Sequence, residues 1–119
     1  NVASGADADQ GGGALFNDGG LMTVARSRFR ANLADGASGS GGAVLNNAGV
    51  LFVTRSRMGD NVSQRAGGAN EGGAFWNSAT GTMVVAGTRL KANAAPTGVD
   101  VFNDGGSFTV DGVSVPAGP

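Results

Sequence analysis

Three stretches of the chain carry the same order of residue types: "GGGALFNDGGLMTVARSRFRAN" (11–32), "SGGAVLNNAGVLFVTRSRMGDN" (40–61) and "EGGAFWNSATGTMVVAGTRLKAN" (71–93). A catalytic motif is normally used once, because one site needs one set of groups. A motif copied along the whole length serves the fold, and a repeat of this size constrains that fold more than any other feature.

Aligned, the copies form columns. Asn17, Asn46, Asn77 and Asn103 share one, and Asn1, Asn32, Asn61 and Asn93 share another. Apolar columns hold Met22, Leu51, Met83 and Phe108, then Val24, Val53, Val85 and Val110, then Phe29, Met58, Leu90 and Val115. The Met22 and Val24 columns are two positions apart, the period of a strand with one buried face. A shorter strand carries Phe16, Leu45, Trp76 and Phe102, preceded by the equally apolar Leu15, Val44, Phe75 and Val101. Alternation does not separate these two; the Phe16 column is expected to face inward. Between the strands lie "NDGG", "NNAG", "NSATG" and "NDGG", residues that tolerate left-handed backbone in tight turns.

The closing asparagines set the period: the step from Asn32 to Asn61 is 61 − 32 = 29, and that from Asn61 to Asn93 is 93 − 61 = 32. The longer step is taken up in "VSQRAGGANE" and "NSATG". Both are loops, which is how a solenoid absorbs length variation. Short strands, glycine corners and a period near 30 predict an all-β fold, a right-handed parallel β-helix of about four coils. It forms one domain over 1–119, with repeats at about 1–32, 33–61, 62–93 and 94–119. Handedness follows only from the general preference of parallel crossovers. One coil cannot bury its own apolar residues, so the coils above and below must, and each asparagine column then bonds along the axis.

The motifs "GGAL", "GGAV" and "GGAF" with "FRAN" resemble the polymorphic outer membrane proteins and related bacterial β-helix passengers, over about residues 11–103. The resemblance implies a right-handed parallel β-helix, export to the cell surface and an adhesive role. "MGDN" and "LKAN" depart from it by replacing phenylalanine, and no autotransporter barrel lies within these 119 residues.

Composition narrows the function. The chain has no histidine and no cysteine, which removes the commonest general base, the commonest metal ligand, thiolates and disulfides together. A net charge of −1 offers no broad attraction for nucleic acid, and no stretch is long and apolar enough to insert in a membrane. Neither a cofactor nor a metal is expected. Polysaccharide lyases and hydrolases also use β-helices, but the outer columns show arginines without adjoining carboxylates, so no catalytic residues are assigned and an enzyme is not expected.

The candidate surface for binding is a column of Arg28, Arg57 and Arg89, with Arg26 and Arg55 two positions earlier and expected on the same face. Stacked guanidinium forks suit acidic glycans or phosphate-rich surfaces; the plain alternative is a solvated face. Asp7, Asp9, Asp35 and Asp60 lie in loops, where calcium ligands occur, but they are scattered. Trp76 reads better as a core aromatic than as a sugar platform. Thr23, Thr54, Thr82 and Thr109 do not fall in one column, so a flat threonine array is not formed. Asn1 and Gly118 align with the closing asparagine column, which makes close to four coils with an uncapped start, blunted at the far end only by Pro116 and Pro119. The expected protein is a secreted or cell-surface β-solenoid, structural or adhesive. It is either a segment of a larger adhesin or a subunit that pairs with itself head to tail into a filament.

Overall fold

The computed structural model of the protein describes residues 1–5, 7, 10–65 and 67–118. Asp9 and Pro119, named above, lie outside them. The described residues hold no helix. They form a parallel β-solenoid of about four turns, each turn built from short strands separated by corners.

The first turn contains β1 (Val2–Ala3), β2 (Leu15–Asp18), β3 (Leu21–Ala25) and β4 (Arg28–Arg30). The second contains β5 (Leu33–Ala34), β6 (Val44–Asn47), β7 (Val50–Thr54) and β8 (Arg57–Gly59). The third contains β9 (Val62–Ser63), β10 (Phe75–Asn77), β11 (Thr82–Ala86) and β12 (Arg89–Lys91), and the chain ends with β13 (Val101–Asn103), β14 (Ser107–Val110) and β15 (Val113–Ser114). Equivalent strands stack in sheets ordered β1-β5-β9, β13-β10-β6-β2, β15-β14-β11-β7-β3 and β12-β8-β4. The registers pair Val24 with Val53, Val53 with Val85 and Val85 with Val110, so the sequence columns are physical ladders.

The main core runs up the inside. Leu51, Val53, Met58, Phe75, Met83, Val85 and Phe108 are buried in it, and Phe75 meets Phe108 edge-on at 6.4 Å between ring centroids. Leu15, Val44, Phe75 and Val101 belong to this core, which corrects the inward orientation expected of the Phe16 column. The reason is period two: Asn17 turns inward to bond corner backbone, so Leu15, two positions earlier, must share its side. Leu45, Trp76 and Phe102 instead form a separate outer cluster, while Phe16 at its end is 42% exposed.

The asparagine ladders run in one direction. Asn17 Nδ2 donates to Asn46 Oδ1 (2.9 Å), Asn46 Nδ2 to Asn77 Oδ1 (2.9 Å) and Asn77 Nδ2 to Asn103 Oδ1 (3.1 Å). The second column repeats this from Asn1 through Asn32 and Asn61 to Asn93, whose Nδ2 donates to Asp100 Oδ1 at 3.0 Å. The amides of the first column also donate to corner carbonyls, as Asn46 does to Gly49 O and Thr82 O. An amide with two donors and an acceptor meets these demands together, which explains why asparagine and not a shorter polar residue recurs.

The GGA motif has an equally local cause. Gly12, Gly41 and Gly72 adopt φ of 68°, 66° and 68°, a left-handed corner that disfavours other residues. The glycine after each lies against backbone of the neighbouring turn, as Gly42 does against Gly73 O and Val62, leaving no room for a Cβ. In "GVDV" Val99 takes that second position and is 59% exposed, because no further described turn stacks on it.

The fourth turn departs from the repeat. Asp111 (φ 48°) and Gly112 (φ 79°) form a two-residue turn with both residues left-handed. That is the geometry of a tight hairpin. β15 therefore returns antiparallel to β14, pairing Val110 with Val113. Val115 N donates to Phe108 O, Asn103 Nδ2 to Val115 O and Gly118 N to Asn103 O. Val115 thus packs on the core from the returning segment, and Gly118 sits on the Phe102 ring, not over Asn93. The C-terminal segment closes much of the last rung, where blunting by Pro116 and Pro119 alone was expected. At the opposite end, among the described residues, β2, β3 and β4 each have one unpaired edge, and Leu21 is 75% exposed.

Candidate functional site

β4, β8 and β12 are three residues each, and their middle residues, Phe29, Met58 and Leu90, turn into the core. The flanking residues must then face solvent. Register pairs Arg28 with Arg57 and Arg57 with Arg89, and on the other flank Arg30 with Gly59 and Gly59 with Lys91. Two columns therefore run side by side, with successive rungs about 4.8 Å apart.

Five of the chain's eight Lys and Arg residues stand on this one face: Arg28, Arg30, Arg57, Arg89 and Lys91. Among the described residues the one carboxylate lining it is that of Asp60, whose Oδ2 accepts from Arg30 Nε at 3.1 Å. Both partners are more than half exposed, so this pair contributes little to stability. The lining carries +5 − 1 = +4, against a net charge of −1 for the whole chain. Like charges one rung apart repel by about 1 kcal/mol in bulk water and about 3 kcal/mol at an effective dielectric constant of 20. A bound anion would relieve that repulsion.

The face is concave. A cleft of about 350 Å³ lies among these cations, with Met58, Gly59, Asp60 and Ala92 completing its lining. The column of Arg28, Arg57 and Arg89 is the inner one, and that of Arg30, Gly59 and Lys91 the outer one. The hollow follows from Gly59, the one place in the outer column where a side chain is missing. A Cβ added there would meet only Lys91 O, at 3.7 Å, so the space above it is open.

Arg28, Arg57 and Arg89 are thus brought together. Arg26 and Arg55 are not: they occupy the preceding corner, exposed and left-handed at φ 50° and 49°, outside the cleft lining. Gly87 takes the equivalent corner at φ 59°, and glycine is the residue type that geometry favours. Arg30 and Lys91 also line the cleft, although the repeat columns do not single them out. The signal was present, since each lies two positions beyond a column arginine and must share its side of the strand.

The remaining candidates do other work. Asp60 is a left-handed corner residue tied to Arg30, Asp35 N donates to Ala3 O, and Asp7 O accepts from Gln10 N. Among the described residues no three acidic side chains stand close enough to hold a metal ion. Trp76 is buried in the outer cluster and its Nε1 donates to Glu71 Oε2 at 3.0 Å. Partial burial raises the Glu71 pKa above its ordinary 4.5; the Trp76 bond opposes this and the nearby Asp104 carboxylate adds to it. Burial acts in that direction because it disfavours the charged form of a carboxyl group.

Comparison with known proteins finds no family model, no curated protein and no solved structure that matches the chain.

Proposed function

We propose that this chain is a non-enzymatic β-solenoid of an extracellular or cell surface, which adheres to acidic polysaccharide along the face formed by β4, β8 and β12. The observation that carries the reading is the pair of cationic columns, lined among the described residues by a single carboxylate, that of Asp60 at the corner beyond Gly59. Arginine forks repeated at strand spacing fit a polymer that repeats its own negative charges, and each contact adds to the next through proximity. The GGA and FRAN motifs, which resemble bacterial surface passengers, support the extracellular setting.

The test is retention on an immobilised sulfated polysaccharide against a neutral one at physiological salt. Wild type is expected to be retained on the first alone, and the triple variant Arg28→Ala, Arg57→Ala, Arg89→Ala to elute with the neutral control. Equal retention of wild type and triple variant would refute the reading.

Head-to-tail stacking into a filament is a second reading, and the unpaired edges of the described β2, β3 and β4 favour it at one end. At the other end β15 occupies the outer edge of β14, so assembly in that manner requires the hairpin to be displaced.

A further inference from the structure

The cationic face does more than present positive charge, because its outer column is interrupted. Arg30 and Lys91 stand on either side of Gly59, and Arg57 borders the same hollow from the inner column. Two rungs separate Arg30 from Lys91, a backbone distance of roughly 10 Å. Among the described residues Arg30 bonds through its Nε alone, to Asp60, so its terminal nitrogens can donate into the hollow.

This arrangement discriminates between kinds of anion. A carboxylate has two oxygens in one plane and is satisfied by a single guanidinium fork. A sulfate or phosphate ester spreads three oxygens in three directions, and here donors stand on three sides. Resting on the polyanion reading above, we propose that the hollow over Gly59 is a subsite for one tetrahedral oxyanion ester, the sulfate or phosphate group of an acidic glycan. Arg30, Arg57 and Lys91 each donate to it. The remaining arginines hold the neighbouring units of the polymer through charge alone.

Gly59 makes the subsite separable from the charge around it. Its φ is not left-handed, it lies in a strand, and an added Cβ meets nothing closer than 3.7 Å. Valine suits a strand, so Gly59→Val is compatible with the fold and fills the hollow without removing a cation. The experiment measures binding of three oligosaccharides of equal length and charge, one sulfated, one phosphorylated and one carrying only carboxylates, with inorganic sulfate as a fourth ligand. Trp76 fluorescence and circular dichroism establish that each variant is folded. Wild type is expected to bind the sulfated or the phosphorylated chain about tenfold tighter than the carboxylate chain, the worth of roughly one charge-assisted hydrogen bond. The stronger of the two identifies the ester, and inorganic sulfate should compete with it.

Gly59→Val is expected to erase that preference while still binding all three polymers. Lys91→Gln, which opens one wall instead of filling the floor, should reduce it in the same sense. Equal binding of the three chains by wild type, or a preference that survives in Gly59→Val, would overturn the subsite and leave the broader polyanion reading standing. Failure of wild type to bind any of the polymers would overturn both.

Discussion

Replacing Asn46 by alanine should cost more than any surface change in this chain, and the size can be worked from its contacts. Asn46 is fully buried. Its Nδ2 donates to Gly49 O at 2.9 Å, Asn77 Oδ1 at 2.9 Å and Thr82 O at 3.2 Å, and its Oδ1 accepts from Asn17 Nδ2 at 2.9 Å. Truncation leaves a carbonyl at each corner and the Asn77 amide oxygen without this donor, in a space that a methyl group does not fill. Asn17 keeps Gly20 O and Val50 O as partners, so its loss is partial. One net hydrogen bond is worth about 1 kcal/mol and a buried orphaned acceptor costs about 1–3 kcal/mol, so a total of roughly 3–5 kcal/mol is expected. Domains of this size hold only about 5–15 kcal/mol. Urea unfolding followed by Trp76, the chain's one tryptophan, gives the difference directly. Asn17→Ala, at the first rung of the same ladder, should cost clearly less because no described turn donates to it from beyond. A cost below about 1 kcal/mol for Asn46→Ala, or equal costs at the two positions, would refute the view that the ladder holds the turns together.

Two further outcomes follow from local geometry and charge. Glu71 binds its proton more tightly folded than unfolded, so its contribution favours the fold at low pH and is lost as pH rises from the ordinary carboxyl value through the raised folded one. Glu71→Gln keeps an acceptor for Trp76 Nε1 and removes the charge; unfolding at about pH 4 and about pH 7 should show the variant gaining on wild type at the higher pH, whereas a constant difference would contradict this. Ala31 is an exposed left-handed residue at φ 53°. Ala31→Gly should therefore stabilise by roughly 0.5–1 kcal/mol in thermal unfolding instead of costing the usual glycine penalty; a loss of stability would count against the left-handed corner.

Much of the stack was legible because one physical requirement writes itself into every turn. Val24, Val53, Val85 and Val110 lie in one sequence column because each must bury itself against the next, and the asparagines at the Asn17 column recur because each turn leaves the same corner carbonyls to satisfy. The orientation of Phe16 was not legible from hydrophobicity, since Leu15 and Phe16 are both apolar. It was legible from Asn17, whose inward duty fixes Leu15 by alternation. The last turn misled for a different reason: aligned by repeat, Val115 falls in the column of Phe29, yet Asp111–Gly112 is a hairpin signal that overrides the repeat locally. The cationic cleft was half visible. Its arginine column came from the alignment, but the hollow depends on Gly59, an absence of side chain that composes a site only once Arg30 and Lys91 are known to flank it.

The salt dependence of polyanion binding tests most directly whether the cations act as one site because the turns stack them. Each side-chain contact with a charged polymer releases about one counterion, so the logarithm of affinity falls with the logarithm of salt by close to one unit per contact. Wild type should give a slope that single substitutions at Arg28, Arg57 or Arg89 each reduce by about one, while Arg26→Ala, at the corner outside the cleft, leaves it unchanged. A slope indifferent to the column arginines, or as sensitive to Arg26 as to Arg57, would contradict the account.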